Sequence, residues 1–384
     1  MKSHTLIAHS IEELERKLLI CKAEKFIPTL AIVFASPEIG LESIFHMFNS
    51  HNIELVGCGT AGEILNDQLY DGIAACLLLD IDRSCFSVFF ENYGQEGPFK
   101  VCKRIGQSAK ARFADPALIV CSGGLLVDGE QIVLGLKAGL LFEVPIYGGL
   151  AGNNLNEEST YSFSRHGISD NGLVALVLDQ AKIEVKGLAT SGWEPFGLEN
   201  TITRSSGSVI YTINHEPALD VFVRYFSYFE HSVLKGRNIA TVGTRYPLQI
   251  IRKDGTTVLR SPLTGNDQER TLTLTGSVRE GDKFRFSFSP SFEVVDQTIE
   301  DFKSLRRNAG QADALMLFSC KGRHAALGPM VEDEVKGIYN HWKKPMAGLF
   351  TFGEFGPSGN GVCEFHNETC SLVLLKERAT AGSK

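Results

Sequence analysis

The stretch ALMLFSCKGR (314–323) is followed by the helix-length segment GPMVEDEVKGIYNHW and then by KPMAGLFTFGEFG (344–356). Its first run is almost continuously apolar, which is typical of a strand covered on both faces. In the next segment apolar residues recur at spacings of three and four, which is typical of an amphipathic helix. A second apolar run leads into a glycine-rich turn, so the order predicts a β-α-β unit with a turn after its second strand.

Two earlier stretches repeat this order, and a further apolar run closes all three copies. The first copy consists of LAIVFA (30–35), GCGTAGE (57–63) and DGIAACLLLD. The second consists of ALIVCSGG (117–124), VPIYGGLAGNN (144–154) and NGLVALVLD, and the third closes with NGVCEFHNETCSLVLL. We therefore predict an α/β fold in which repeated β-α-β-β units form mixed sheets.

The sequence pattern changes between the second and third copies. Hairpin signals such as Asp254-Gly255 predict a β-rich segment at about residues 240–290. Just before it, PALDVFVRYFSYFE (217–230) predicts an amphipathic helix with proline at its first turn, bridging the two halves of the chain. We place the boundary between two associated domains close to this point, which gives residues 1–210 and 211–384.

Composition excludes several classes of protein. Hydrophobic residues make up 43% of the chain, and the net charge of −7 comes without any run of Lys and Arg, which argues against nucleic acid or a membrane as partner. The nine cysteines are scattered without a Cys-x-x-Cys pair, which indicates reduced thiols. No segment reads as a signal peptide or a membrane helix, so we expect a cytoplasmic protein.

Several separated motifs resemble those of the FIST proteins. They are IELVGCGTAGEI, SGWEPFG (191–197), FSCKGR and FHNET, and the similarity covers about residues 30–375. The resemblance implies a sensory module of signal transduction that binds a small ligand, with an amino acid as the candidate. Before the first predicted strand we expect only one amphipathic helix, IEELERKLLI, and the tail after Lys376 is short. We therefore expect a stand-alone sensor that signals through a separate partner protein.

The three glycine-rich turns predict a ligand pocket, because open α/β sheets bind ligands beyond the carboxyl ends of their strands. The alternative is that these glycines serve packing alone. Glu63 follows Gly62 in the first turn, Glu354 follows Gly353 in the third, and Asn153 takes the corresponding place in the second. A carboxylate there can accept a hydrogen bond from a ligand ammonium group, or it can cap backbone amides.

The SCKGR loop offers a site for an anion. Ser319 and Cys320 enter a turn with spare amides, and Arg323 can hold a carboxylate or phosphate with two parallel hydrogen bonds. Alternatively, Arg323 pairs with an internal acid, for which Glu354 is the candidate. In our hypothesis the ligand places its carboxylate on Arg323 and its amine on Glu63 or Glu354, and binding shifts the two domains. The equivalent loops of the other copies contribute Ser36 and Ser122.

Two other functions stay open. Cys320 can be a nucleophile with His324 or His366 as its base, which predicts a cysteine-dependent enzyme, although the sequence indicates no residue that orients either histidine. A protein-interaction scaffold without a pocket is the second alternative.

Cofactor and metal signals are weak. Cys363, His366 and Cys370 resemble half of a zinc site, but the odd spacing of the first two residues sends them to opposite faces of a strand. We expect His366 and Asn367 to form turn hydrogen bonds or to lie at the rim of the pocket. Dinucleotide and Walker motifs do not occur, so we expect neither a cofactor nor a metal.

Overall fold

In a computed structural model, which describes residues 1–153, 159–227, 238–288, 293–358 and 361–379, the chain folds as three similar units and one insertion. Each unit has the order β-α-β-α-β, followed by a short hairpin and a closing strand. Unit one contains β1 (Lys2–Ala8), α1 (Ile11–Ala23), β2 (Leu30–Ala35), α2 (Leu41–Ser50), β3 (Glu54–Gly59), the hairpin β4 (Glu63–Leu65) and β5 (Gln68–Tyr70), and β6 (Ala74–Asp80).

Unit two repeats the order. It contains β7 (Phe86–Asn92), α3 (Gly97–Arg112), β8 (Pro116–Ser122), α4 (Gly129–Leu140), β9 (Ile146–Leu150), the hairpin β10 (Ser162–Ser164) and β11 (Gly167–Ser169), and β12 (Gly172–Asp179). Unit three begins with β13 (Ile183–Thr190), after which the chain enters the insertion.

The insertion stands where the other units have a short loop between their first strand and first helix. It contains β14 (Glu194–Ser206), β15 (Val209–Ile213), β16 (Glu216–Pro217), α5 (Ala218–Phe226), α6 (Ile239–Arg245), β17 (Leu248–Ile251), β18 (Thr257–Arg260), β19 (Pro262–Asn266), β20 (Thr271–Leu274) and β21 (Lys283–Phe288). Unit three then continues with α7 (Glu293–Ala309), β22 (Ala314–Cys320), α8 (Lys321–Leu327), α9 (Met330–Trp342), β23 (Met346–Thr351), the hairpin β24 (Glu354–Pro357) and β25 (Cys363–His366), and β26 (Cys370–Glu377).

The hairpins are exchanged between units in a cycle. The hairpin of unit one pairs through β4 with β23 of unit three, that of unit two through β10 with β3 of unit one, and that of unit three through β24 with β9 of unit two. Each unit's sheet of six strands therefore takes its last two strands from a neighbour.

Alternation along the central strands explains how the three sheets pack. In β2, Ile32 and Phe34 face a core shared by all three units, where the Phe34 and Phe318 rings meet edge to face at 5.7 Å. Val33, on the opposite face, packs under helices α1 and α2 with Phe48. Such strands are buried on both faces, which is why their sequence is almost continuously apolar.

In each unit of the structure, one strand and one helix precede the elements that the repeat predicted. The expectation of one helix before the first predicted strand is wrong, because β1 precedes α1 and pairs with β6. β1 is an edge strand whose first residues are partly exposed, so it lacks the continuous apolar run of a central strand.

The insertion has a core of its own, formed by aromatic residues that include Phe222, Phe226 and Phe286. It begins at Glu194, well before the predicted β-rich segment. The predicted helix at 217–230 is present as α5 and packs inside this core, so it does not bridge the halves of the chain; residues 228–230 lie outside the described part.

The prediction of repeated β-α-β-β units in mixed sheets with a β-rich insertion is confirmed. The division into residues 1–210 and 211–384 stays a prediction.

The strand exchange predicts how a shortened chain behaves. A fragment of residues 1–210 loses the strand partners of β4, β9 and β13, which all come from unit three. We expect no cooperative urea unfolding and no near-ultraviolet circular dichroism signal from the fragment, because unpaired strand edges and half of the shared core are exposed. A cooperative transition like that of the full chain would show that this part folds independently.

Candidate functional site

The three glycine-rich turns meet at the centre of the molecule, where the exchanged hairpins leave their own units. Every pair of turns shares a backbone hydrogen bond, which runs from the amide of Gly152 to the carbonyl oxygen of Gly59 at 3.0 Å, from Phe350 to Gly62 at 2.9 Å, and from Leu150 to Gly353 at 2.8 Å. The expected convergence of the turns is therefore present.

Within the described residues the turns are packed against one another, and backbone and side chains fill the place where we expected a hollow. A Cβ atom on Gly152 would lie 2.5 Å from the Ala61 amide nitrogen, and one on Gly353 would lie 2.4 Å from the Phe365 ring. The glycines therefore allow backbones to approach closely. The side chains expected to line the hollow are all fully buried: Arg323, Glu63 and Glu354.

The two buried glutamates have the same local contact. Thr60 donates a hydrogen bond to Glu63, and Thr351 donates one to Glu354, each from three residues earlier. Burial raises the pKa of Glu63 to about 7 and that of Glu354 to about 8. The sequence analysis missed the threonines, although the repeated Thr-x-Gly-Glu spacing was there to find them.

The position corresponding to these glutamates in unit two differs. Asn153 donates from Nδ2 to the Ser159 carbonyl oxygen at 2.9 Å. Ser122 and Ser36, at the other predicted loops, are buried: Ser122 Oγ lies 2.7 Å from the Tyr93 hydroxyl, and Ser36 accepts from an amide two residues on. These contacts are internal to the protein.

The side chain of Arg323 forms hydrogen bonds with other groups of the protein. Its guanidinium donates twice to Glu334 and, through Nη2, to the Thr298 hydroxyl at 2.9 Å. It also donates to the Ser191 carbonyl oxygen and lies 5.1 Å above the Trp193 ring. The internal acid that pairs with it is thus Glu334 and not Glu354, the candidate that the sequence suggested.

Lys321, two residues earlier, is the half-buried cation of the same loop. Its Nζ donates to the Ala61 carbonyl oxygen at 2.8 Å and lies 5.6 Å from the centre of the Phe350 ring. Burial lowers its pKa, against the attraction of Asp71 and Glu63. The sequence analysis passed over this residue because arginine is the better bidentate ligand for anions.

Cys320 is buried, and its environment favours the thiol. Burial first, and then the nearby Glu354 and Glu368 carboxyls, raise its pKa well above the ordinary value. A nucleophilic cysteine needs the opposite shift. His366, one of the two bases expected for it, has its Nε2 at 3.0 Å from the Gly356 carbonyl oxygen, and burial lowers its pKa to about 4.

Where the insertion meets the turn between β25 and β26, four polar residues form what we call the junction cluster. Ser261 of the insertion donates to Glu368 Oε1 at 2.7 Å, and Thr275 of the insertion donates to Asn367 Oδ1 at 2.8 Å. Ser261, Asn367 and Glu368 are buried, and Thr275 is partly buried. Ser319, at the end of β22, is also buried and pairs in register with Cys370. Burial raises the pKa of Glu368 to about 8.

Two polar atoms of the junction cluster have no hydrogen-bond partner among the described residues: Asn367 Nδ2 and Glu368 Oε2. Buried polar atoms normally find partners, so two such atoms on adjacent residues are unusual. Together they offer an amide donor and a carboxyl group. The sequence analysis placed His366 and Asn367 at a turn or at the rim of the pocket, and it passed over Glu368, which comes next.

Two other kinds of feature are absent from the described ranges. No group of three His, Cys, Asp or Glu side chains there could hold a metal ion. No helix in this part of the chain is long and apolar enough to cross a membrane.

Comparison with protein families identifies the class of protein. The FIST N domain matches residues 29–216 and the FIST C domain matches residues 218–357. The chain therefore belongs to the FIST family, whose domains are sensory domains of signal transduction, and the resemblance seen in the motifs is confirmed. The two matches meet inside the insertion, between β16 and α5. A comparison with curated proteins gave no match.

The raised pKa values of Glu63, Glu354 and Glu368 predict a stability that depends on pH. The folded state keeps these acids protonated up to a higher pH than the unfolded chain does, so their stabilisation is complete below about pH 4.5 and is lost as the pH rises towards 8. From pH 5 we expect the free energy of unfolding to fall by about 1 kcal/mol per pH unit for each acid, up to about pH 7 for Glu63 and up to about pH 8 for Glu354 and Glu368.

The substitution Glu354→Gln, which mimics the neutral acid, should reduce this slope in urea titrations at several pH values. The matched control Glu42→Gln changes an exposed glutamate and should leave the slope as it is. An unchanged slope in Glu354→Gln would show that this carboxyl is ionised in the folded protein.

Proposed function

We propose that this protein is a cytoplasmic sensor that binds a small metabolite, with an amino acid as the candidate, and passes the signal to a separate partner protein. The family supports a sensory role. The observation that carries the choice of site is the pair of buried polar atoms on Asn367 and Glu368 that have no partner among the described residues.

The chemistry of the junction cluster suits an amino acid. A ligand ammonium group would favour the ionised form of Glu368, so that Oε2 accepts a hydrogen bond from it, while Asn367 Nδ2 is a donor for a ligand carboxylate. In this proposal Asn367 takes the role that the sequence analysis gave to Arg323, because the Arg323 guanidinium is paired with Glu334. Glu354 and Cys320 are close enough to be electrostatically coupled to Glu368, and they form the neighbouring wall.

A ligand at this site would also couple binding to a change of shape. Two of the four residues belong to the insertion and two to the core, so a bound molecule contacts both bodies. A ligand shifts a conformational equilibrium only through different affinities for the two arrangements, and a site that spans a junction supplies that difference. The partner protein would then read the position of the insertion.

A thermal-shift screen over amino acids and other small metabolites tests the proposal. At a ligand concentration about 100 times the dissociation constant, the stabilisation should be about 2.7 kcal/mol. Glu368→Gln should weaken binding by about tenfold or more, because a hydrogen bond to a charged group is lost. The control Glu332→Gln removes an exposed surface pair of the same unit and should bind normally. No shift with any compound would favour the protein-interaction scaffold.

A further inference from the structure

The insertion contacts the three-unit core at several places, and two sets of these contacts, besides the junction cluster, determine how it can move. The first lies where the chain passes between them. Arg323 of the core donates to the Ser191 carbonyl oxygen, at the exit from β13, and to the Thr298 hydroxyl on α7, the helix into which the chain returns. Trp193 and Val294 pack together beside it. These contacts fix both ends of the insertion.

The second set is a group of four charged residues that we call the latch. Arg252 of the insertion donates to Glu364 on β25 at 2.9 Å and to Glu130 on α4 at 3.1 Å. Arg260 of the insertion donates to the same Glu130 at 2.7 Å. One glutamate of unit two thus holds two arginines of the insertion, and its loss would leave both with weakened pairing.

The latch and the junction cluster are continuous along the chain. Arg260 of the latch is followed directly by Ser261 of the cluster, and Glu364 lies on the strand that leads into Asn367 and Glu368. Ser261 and Thr275 cover the other cluster members from the insertion side, and Asn367 and Glu368 are each only 1% exposed. A molecule from solvent therefore reaches the cluster only if these two bodies separate.

Separation along this surface is less costly than opening a hydrophobic core. The contacts at the latch and the cluster are polar, so water can replace them, whereas the insertion keeps its own aromatic core intact. The contacts of Arg323, Trp193 and Val294 remain as the attachment about which the insertion can turn.

From this arrangement we propose that the insertion is a hinged lid over the junction cluster, held shut by the latch, and that releasing the latch admits the metabolite. The regulatory part of this inference, control of ligand entry, rests on the proposed function. The opening itself does not, because it is a property of the protein without ligand.

The thiol of Cys320 provides a probe of the opening. It is 5% exposed and lies beside Glu354 and Glu368, so in this proposal an open lid exposes it to a reagent more than a closed lid does. Its rate of alkylation by iodoacetamide in the native protein, followed by mass spectrometry of the labelled peptide, should rise by about tenfold or more in Glu130→Gln, because breaking a buried ion pair is strongly destabilising. Cys76, fully buried in unit one, reports global unfolding, and its rate should stay unchanged.

Two further variants complete the test. Glu364→Gln removes one latch contact and should give a smaller acceleration than Glu130→Gln, which keeps the test meaningful if the latter folds poorly. The control Glu216→Gln removes an exposed pair with Arg224 within the insertion and should give none. Equal acceleration at Cys320 and Cys76, or none at Cys320 in both latch variants, would overturn the lid.

The outcomes separate the lid from the sensor. Accelerated labelling of Cys320 without any thermal shift in the metabolite screen supports the lid and removes the ligand proposal. A thermal shift that Glu368→Gln weakens, without accelerated labelling in the latch variants, supports the sensor and overturns the lid.

Discussion

The cyclic exchange of hairpins is the constraint on which the rest of the structure depends. The second parallel strand of each unit pairs on one side with a strand of its own unit and on the other side with a hairpin from another unit. The chain must therefore leave its sheet immediately after the second parallel strand and cross to a neighbour. Three such crossings meet at one place, which requires backbones in contact and explains the glycines there. A Cβ atom on Gly149 of unit two would lie 2.8 Å from the Gly353 carbonyl oxygen of unit three.

This packing also determines where buried polar side chains are found. Because the turns fill the centre, the carboxyls of Glu63 and Glu354 are buried among internal partners and held close to their neutral form. Unit three departs from the other two units by carrying the insertion, and there a second buried carboxyl, Glu368, lies next to Glu354. The polar atoms without partners in the described part of the chain include two at this same junction, so the asymmetry of the molecule and its candidate site have a common origin.

Arg323 shows why a ligand site was misplaced by reasoning from the sequence. A cation at the end of a central strand is well placed to bind an anion, and its local sequence fits that role. The choice between ligand and internal partner depends on Glu334, which lies on a helix eleven residues later and faces inward beneath it. Glu334 sits among charged residues in VEDEVKG, and that context is typical of a solvated face.

The sequence by itself determined the units, because a strand buried on both faces must be continuously apolar and a helix over a sheet must have one apolar stripe. It also determined the turns and the family, because glycine and glutamate recur at matching places. The sequence did not indicate an edge strand such as β1, because its partly exposed residues interrupt the apolar run that marks a central strand. Which unit receives each hairpin, which acid holds Arg323, and how Ser261 and Thr275 come to cover Asn367 and Glu368 were decided only by the tertiary structure. These contacts join residues far apart in the chain, and local periodicity carries no information about such pairings.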